Sequence, residues 1–153
     1  MSNKNNTYED RMKVSNYAEN QFQIYCKKKG LEFYHLGFDK QKVEHFYLLN
    51  PIIRNIPDYV VWNDEKIFLV QVKGSPILKQ KEYELFDKMI SAYESDKVKL
   101  YYAYCFNDDF IFLSFSKMKL IYENEPIILR FENDGKSYKM LNELIKINDQ
   151  KNR

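Results

Sequence analysis

The stretch NIPDYVVWNDEKIFLVQVKGS, Asn55 to Ser75, places three polar side chains where buried strands rarely carry them: Asp58 at the mouth of one apolar run, Gln71 and Lys73 at the end of the next. A carboxylate and an amide oxygen are hard ligands suited to Mg²⁺ or Mn²⁺. A neighbouring ammonium can orient a water or stabilise charge on a phosphate. Brought together, the three groups would form a phosphodiester-cleaving centre. Each also has a plain reading, Asp58 as the turn acid after Pro57 and Lys73 as a solubilising strand end before Gly74.

The flanking pattern supplies the elements that would bring them together. DYVVW and KIFLVQVK read as two strands of a hairpin turning around Asn63, Asp64 and Glu65. Alternation puts Phe68, Val70 and Val72 on one face of the second strand and Ile67, Leu69, Gln71 and Lys73 on the other. Asp58, starting the first strand, then lies beside the end of the second. Upstream, Val14, Tyr17, Ala18, Phe22, Tyr25 and Cys26 recur at helical spacing, and Gly30 after Lys27, Lys28 and Lys29 marks a helix C-terminus. LEFYHLGF, Leu31 to Phe38, reads as a strand, and DKQKVEHFYLLNPIIRNI fits no single pattern.

Downstream, Ser75 and Pro76 have the form of an N-cap and first position of a second helix, with Leu78, Leu85, Phe86, Met89, Ile90 and Tyr93 as its apolar stripe. VKLYYAYCF and FIFLSF are strands meeting around Asn107 to Asp109. PIILRFENDGKSYKM carries an Asp134-Gly135 turn signal for a further hairpin, followed by a short helix from Leu141 to Ile147. The order predicts an α/β fold with a central mixed sheet flanked by helices, extended by a C-terminal hairpin and short helix.

Proline-aspartate at 57 and 58, followed by Gln71-Val72-Lys73 closing an apolar strand, resembles the PD-(D/E)XK nuclease superfamily of restriction-endonuclease-like and Holliday-junction-resolvase-like proteins. The element order from Tyr17 to Phe106 matches that superfamily's common core. The resemblance implies a single nuclease-like domain over residues 1–153, with a core of about 14–115 and an extension of about 116–153. It implies a metal site of Asp58, the Gln71 side-chain oxygen and the Val72 carbonyl, completed by Glu19 of the first helix. Lys73 would position the attacking water. Gln80 and Tyr83, in QKEY, are similar to the QxxY element of RecB-type nucleases and would face substrate. The implied activity is Mg²⁺- or Mn²⁺-dependent phosphodiester hydrolysis, DNA before RNA and endonuclease before exonuclease, by a homodimer or a subunit of a larger nucleoprotein assembly.

Position 71 departs from the superfamily pattern, since glutamine replaces the usual second acid. Some branches use a QxK form and remain active. The neutral amide nevertheless removes a charge from the cation site. It leaves open a lapsed nuclease fold serving as a nucleic-acid-binding or protein-interaction module.

The remaining composition bounds the setting. A chain of 153 residues, 44% hydrophobic and 16% aromatic, is one ordinary domain with a real core. A formal charge of +2 does not single out nucleic acid as a partner, and Lys27 to Lys29 read first as a solvated helix end. Cys26 and Cys105 lie far apart, each in an apolar run, as thiols of a cytoplasmic protein would. No segment has the length of a membrane span. His35 and His45, the two histidines, lack metal-type spacing and are read as structural.

Overall fold

The computed structural model describes residues 8–37, 48–107, 109–126, 128–130 and 136–151, with side chains in the first helix from residue 13 onward. The first helix, α1, spans Tyr8–Lys28. It ends in a Schellman turn, with the Leu31 N–H donating to the Cys26 carbonyl at 2.9 Å and the Gly30 N–H to that of Lys27 at 3.2 Å. Gly30 takes the left-handed φ of 67° that this motif requires. Ala18, Phe22 and Cys26 form the buried stripe, whereas Val14 and Tyr17, expected on the same stripe, are about half exposed.

A five-stranded sheet follows, in the order β1 (Glu32–His35), β2 (Tyr59–Trp62), β3 (Ile67–Lys73), β5 (Val98–Phe106) and β6 (Asp109–Ser114). Its pairs are antiparallel except β3 with β5, which run parallel. The sheet is therefore mixed, as expected. The β2–β3 hairpin turns where expected, with Asn63 Oδ1 accepting from the backbone N–H groups of Glu65 and Lys66, both at 2.9 Å.

Alternation along β3 and β5 divides two apolar layers. Val70, Val72, Ala103 and Cys105 join Ala18, Phe22 and Cys26 under α1. Leu69, Leu100, Tyr102 and Tyr104 join Phe86, Met89, Phe115 and Met118 on the other face. That second face is covered by α4 (Phe86–Tyr93) and α5 (Phe115–Asn124). Both thiols are buried, as their apolar surroundings predicted.

Three elements correct the sequence reading. Ser75 and Pro76 do not open a helix: Ile77–Lys79 form β4, and Leu78 is buried from a strand. The reason is a distant partner, β8 (Ser137–Met140), whose pairing with β4 outweighs the local capping pattern. Helix begins only at Gln80, as α3 (Gln80–Glu84), and breaks at Leu85 before α4. The strand read through Phe115 stops at Ser114, whose hydroxyl caps α5 by accepting from the Lys117 N–H at 3.1 Å. The expected C-terminal hairpin exists as β7 (Ile128–Arg130) against β8, and β4 widens it into a three-stranded sheet. Its Asp134-Gly135 turn, Phe38 and His45 lie outside the described residues. The closing helix α6 spans Asn142–Lys151. Within the ambiguous segment, Asn50 caps the short helix α2 (Pro51–Arg54).

Candidate active site

The register of β2 on β3 pairs Tyr59 with Val70, so one step further Asp58 stands opposite Gln71 and Pro57 opposite Val72. Proline has no N–H and cannot continue the ladder. That leaves the Val72 carbonyl without a ladder donor from Pro57, and on the donor side a side chain takes over from the main chain: Asp58 Oδ2 accepts from the Val72 N–H at 3.0 Å. In an antiparallel pair a residue's N–H and C=O point to the same neighbour, so the Val72 carbonyl also faces past the end of β2. Gln71 and Lys73 alternate with Val70 and Val72 and therefore lie on the face away from α1.

Asp58 and Gln71 line one cleft, together with Glu82 of α3, Gly37 and Arg54. Lys73 is held beside it, its Nζ 2.6 Å from Glu82 Oε1. The other Glu82 oxygen accepts from the Tyr102 hydroxyl at 2.5 Å, and Tyr102 is the β5 residue paired with Gln71.

The electrostatics follow from this crowding. Burial pushes the Asp58 carboxyl up to about 7; the Val72 N–H and Lys73 work against that rise, while Glu19 and Glu82 add to it. Burial also pushes Glu82 up, but the Lys73 ammonium, with hydrogen bonds from Lys73 and Tyr102, outweighs it and holds that carboxyl below its ordinary value. Glu19 is raised by burial against the opposing pull of His35, whose Nε2 lies 3.7 Å from Glu19 Oε1.

The structure thus gathers Asp58, Gln71 and Lys73 at one end of the β2–β3 hairpin, with Glu19 near enough for its charge to act on Asp58. It does not gather Gln80 and Tyr83. Gln80 donates to Glu84 at 3.1 Å, while Tyr83 stacks on Tyr122 with centroids 4.2 Å apart and donates to Glu123. Neither lines the cleft.

His35, expected to be structural, stands against Glu19 and contacts the Tyr59 ring. One residue lining the cleft, Glu82, escapes the sequence reading. Glu82 lies inside QKEY, but the capping pattern at Ser75 and Pro76 predicts an unbroken helix, whose register hides the side that Glu82 presents from the true start at Gln80. Among the described residues, no three His, Cys, Asp or Glu side chains come together as a ready-made metal cage.

This architecture defines an α/β protein with a mixed sheet between helical layers and a polar cleft at a hairpin end. It is similar to Hjc, a Holliday junction resolvase of the archaeal hyperthermophile Archaeoglobus fulgidus, with a TM-score of 0.50 and 14% identity over 86% of this chain and 92% of that one. No protein-family model and no curated protein matches the chain.

Proposed function

We propose that the protein is a single-domain, divalent-metal-dependent nuclease that hydrolyses phosphodiester bonds in DNA, branched DNA included. One observation carries the reading: Asp58 and Gln71 face a common cleft, with Lys73 fixed at its side. The fold shared with a Holliday junction resolvase supports it and supplies the branched substrate.

The donor set fits a hard cation. Mg²⁺ keeps most of its waters and is usually held by one or two carboxylates plus substrate phosphate, so a full protein cage is not needed. Asp58, the Gln71 amide oxygen and the Val72 carbonyl would hold it, with Glu19 direct or through water. When bound, the cation would polarise the scissile phosphate and stabilise charge on the leaving oxygen. The chain's own part is definable. Asp58, crowded by burial and two acids, is a carboxylate that a positive ligand relieves. Lys73 brings a protonated amine to the cleft, able to orient a water and to stabilise the developing charge.

The neutral Gln71 and the engagement of Lys73 by Glu82 favour a second reading, a lapsed site that binds nucleic acid without cutting it. Incubation with four-way-junction, linear and single-stranded DNA and with RNA, in Mg²⁺ or Mn²⁺, separates the two. Cation-dependent cleavage lost in Asp58→Asn and Lys73→Ala supports the nuclease. Salt-sensitive binding without turnover supports the lapsed site, and cleavage equal in all three proteins overturns the nuclease assignment.

A further inference from the structure

The carboxylate absent from position 71 has a counterpart in space. Immediately after β4, the chain turns into α3, and the first turn of that helix brings Glu82 back over the end of β3. There it is tied on both oxygens, to Lys73 at 2.6 Å and to Tyr102 at 2.5 Å. Tyr102 is the cross-strand partner of Gln71, so the Glu82 carboxylate is anchored over the Gln71–Tyr102 pair and lines the cleft that Asp58 and Gln71 line. Burial and the Glu82 charge push the Tyr102 hydroxyl well above its ordinary value, which keeps it a donor to this carboxylate.

A carboxylate oxygen can accept more than one contact, so either Glu82 oxygen can serve a cation while keeping its present partner. An ion pair needed only to solubilise Lys73 would not require a tyrosine from the neighbouring strand to fix its second oxygen. Glu82 also explains why position 71 is neutral. Glu19 and Glu82 already press on Asp58, and a fourth acid at residue 71 would add like-charge repulsion in a part-buried cleft.

On the nuclease reading, we propose that Glu82 is the second acid of this site: delivered from α3 instead of β3, it supplies the carboxylate for the divalent cation that Gln71 does not.

The test is Mn²⁺ binding by calorimetry, with folding of each variant checked by circular dichroism. Glu82→Gln should weaken binding by roughly tenfold or more. Removing both charges in Lys73→Met/Glu82→Gln should leave it equally weak, although net charge is unchanged. Gln71→Glu/Glu82→Gln, which moves the acid back to the strand, should recover wild-type affinity to within about threefold, a rescue expected of a relocated ligand. In the wild type, sub-stoichiometric Mn²⁺ should broaden the 13C signal of the Glu82 carboxyl, and an unbroadened signal refutes the role even if the Glu82 variants do not fold.

Wild-type affinity in Lys73→Met/Glu82→Gln, or an unbroadened Glu82 signal while Asp58→Asn abolishes binding, overturns this role and leaves the nuclease reading standing. Absence of Mn²⁺ binding by the wild type overturns both.

Discussion

The Asp58 carboxylate accepts the Val72 backbone N–H at 3.0 Å, so a side-chain oxygen caps β3 where the main-chain β2–β3 ladder ends. One side chain thus ends the β2–β3 pairing and sits in the candidate site, and its structural and chemical roles can be pulled apart.

Asp58→Asn should abolish cleavage while stabilising the metal-free protein at alkaline pH. Burial lifts the folded-state carboxyl to about 7 from an ordinary value of 3.8. The folded protein therefore holds the proton more tightly than the unfolded chain. The resulting stability is fully present at low pH and is lost as pH rises from near 4 through 7, by roughly 4 kcal/mol at about 1.4 kcal/mol per pH unit. Asparagine keeps an oxygen for the Val72 N–H and carries no charge. Urea denaturation should show near-equal stability of the two proteins at pH 4 and a more stable variant at pH 8.

Lys73→Ala should lower cleavage by about 10²- to 10³-fold, the scale of losing one electrostatic stabiliser. The ion pair with Glu82 adds a stability cost that a free strand-end lysine would not carry, about 1–2 kcal/mol. Without the ammonium, burial dominates at Glu82 and raises its carboxyl, so the variant loses stability as pH rises. Thermal melts at pH 5 and pH 8 should show the larger deficit at pH 8.

Gly74→Ala should destabilise the fold by about 1–3 kcal/mol through overpacking. A Cβ there would lie 2.7 Å from both the Cγ1 and the carbonyl oxygen of Val14, where α1 crosses the end of β3. Adding Val14→Ala removes the methyl clash but not the carbonyl clash. Urea melts should therefore show partial recovery only in the double variant.

Gln71→Glu should raise Mg²⁺ affinity in calorimetric titration, because a hard cation prefers a carboxylate to an amide. The added charge also raises Asp58, already at about 7, so the gain should be larger at pH 8.5 than at pH 6.5. It should be larger still in a Glu82→Gln background, where the new acid replaces a carboxylate instead of crowding one.

Local pattern carried much of the architecture. Period-two alternation with a turn at Asn63 predicted the β2–β3 hairpin and which face Gln71 and Lys73 share, and Gly30 marked the end of α1 through its positive φ. These features are written within a few residues of where they act. The start of α3 is not. Ser75 and Pro76 carry a genuine capping pattern, overridden because Ile77–Lys79 pair with β8 far along the chain, and the Pro76 carbonyl accepts from the Leu141 N–H at 2.7 Å. α5 was legible in principle from Ser114 ahead of Phe115, Met118, Ile121 and Tyr122, but the apolar run of β6 leads straight into it.

The candidate site divides along the same line. Asp58, Gln71 and Lys73 meet because a hairpin register joins them, and register follows from alternation and turn chemistry that the sequence alone displays. Glu82 reaches the cleft from α3, and Glu19 of α1 comes within electrostatic range of Asp58; only tertiary packing decides both. Val14 must seat against Gly74, and β4 must find β8, before either helix is aimed. Such contacts depend on which apolar faces meet across the whole chain, so no local spacing could have placed Glu82 against Lys73.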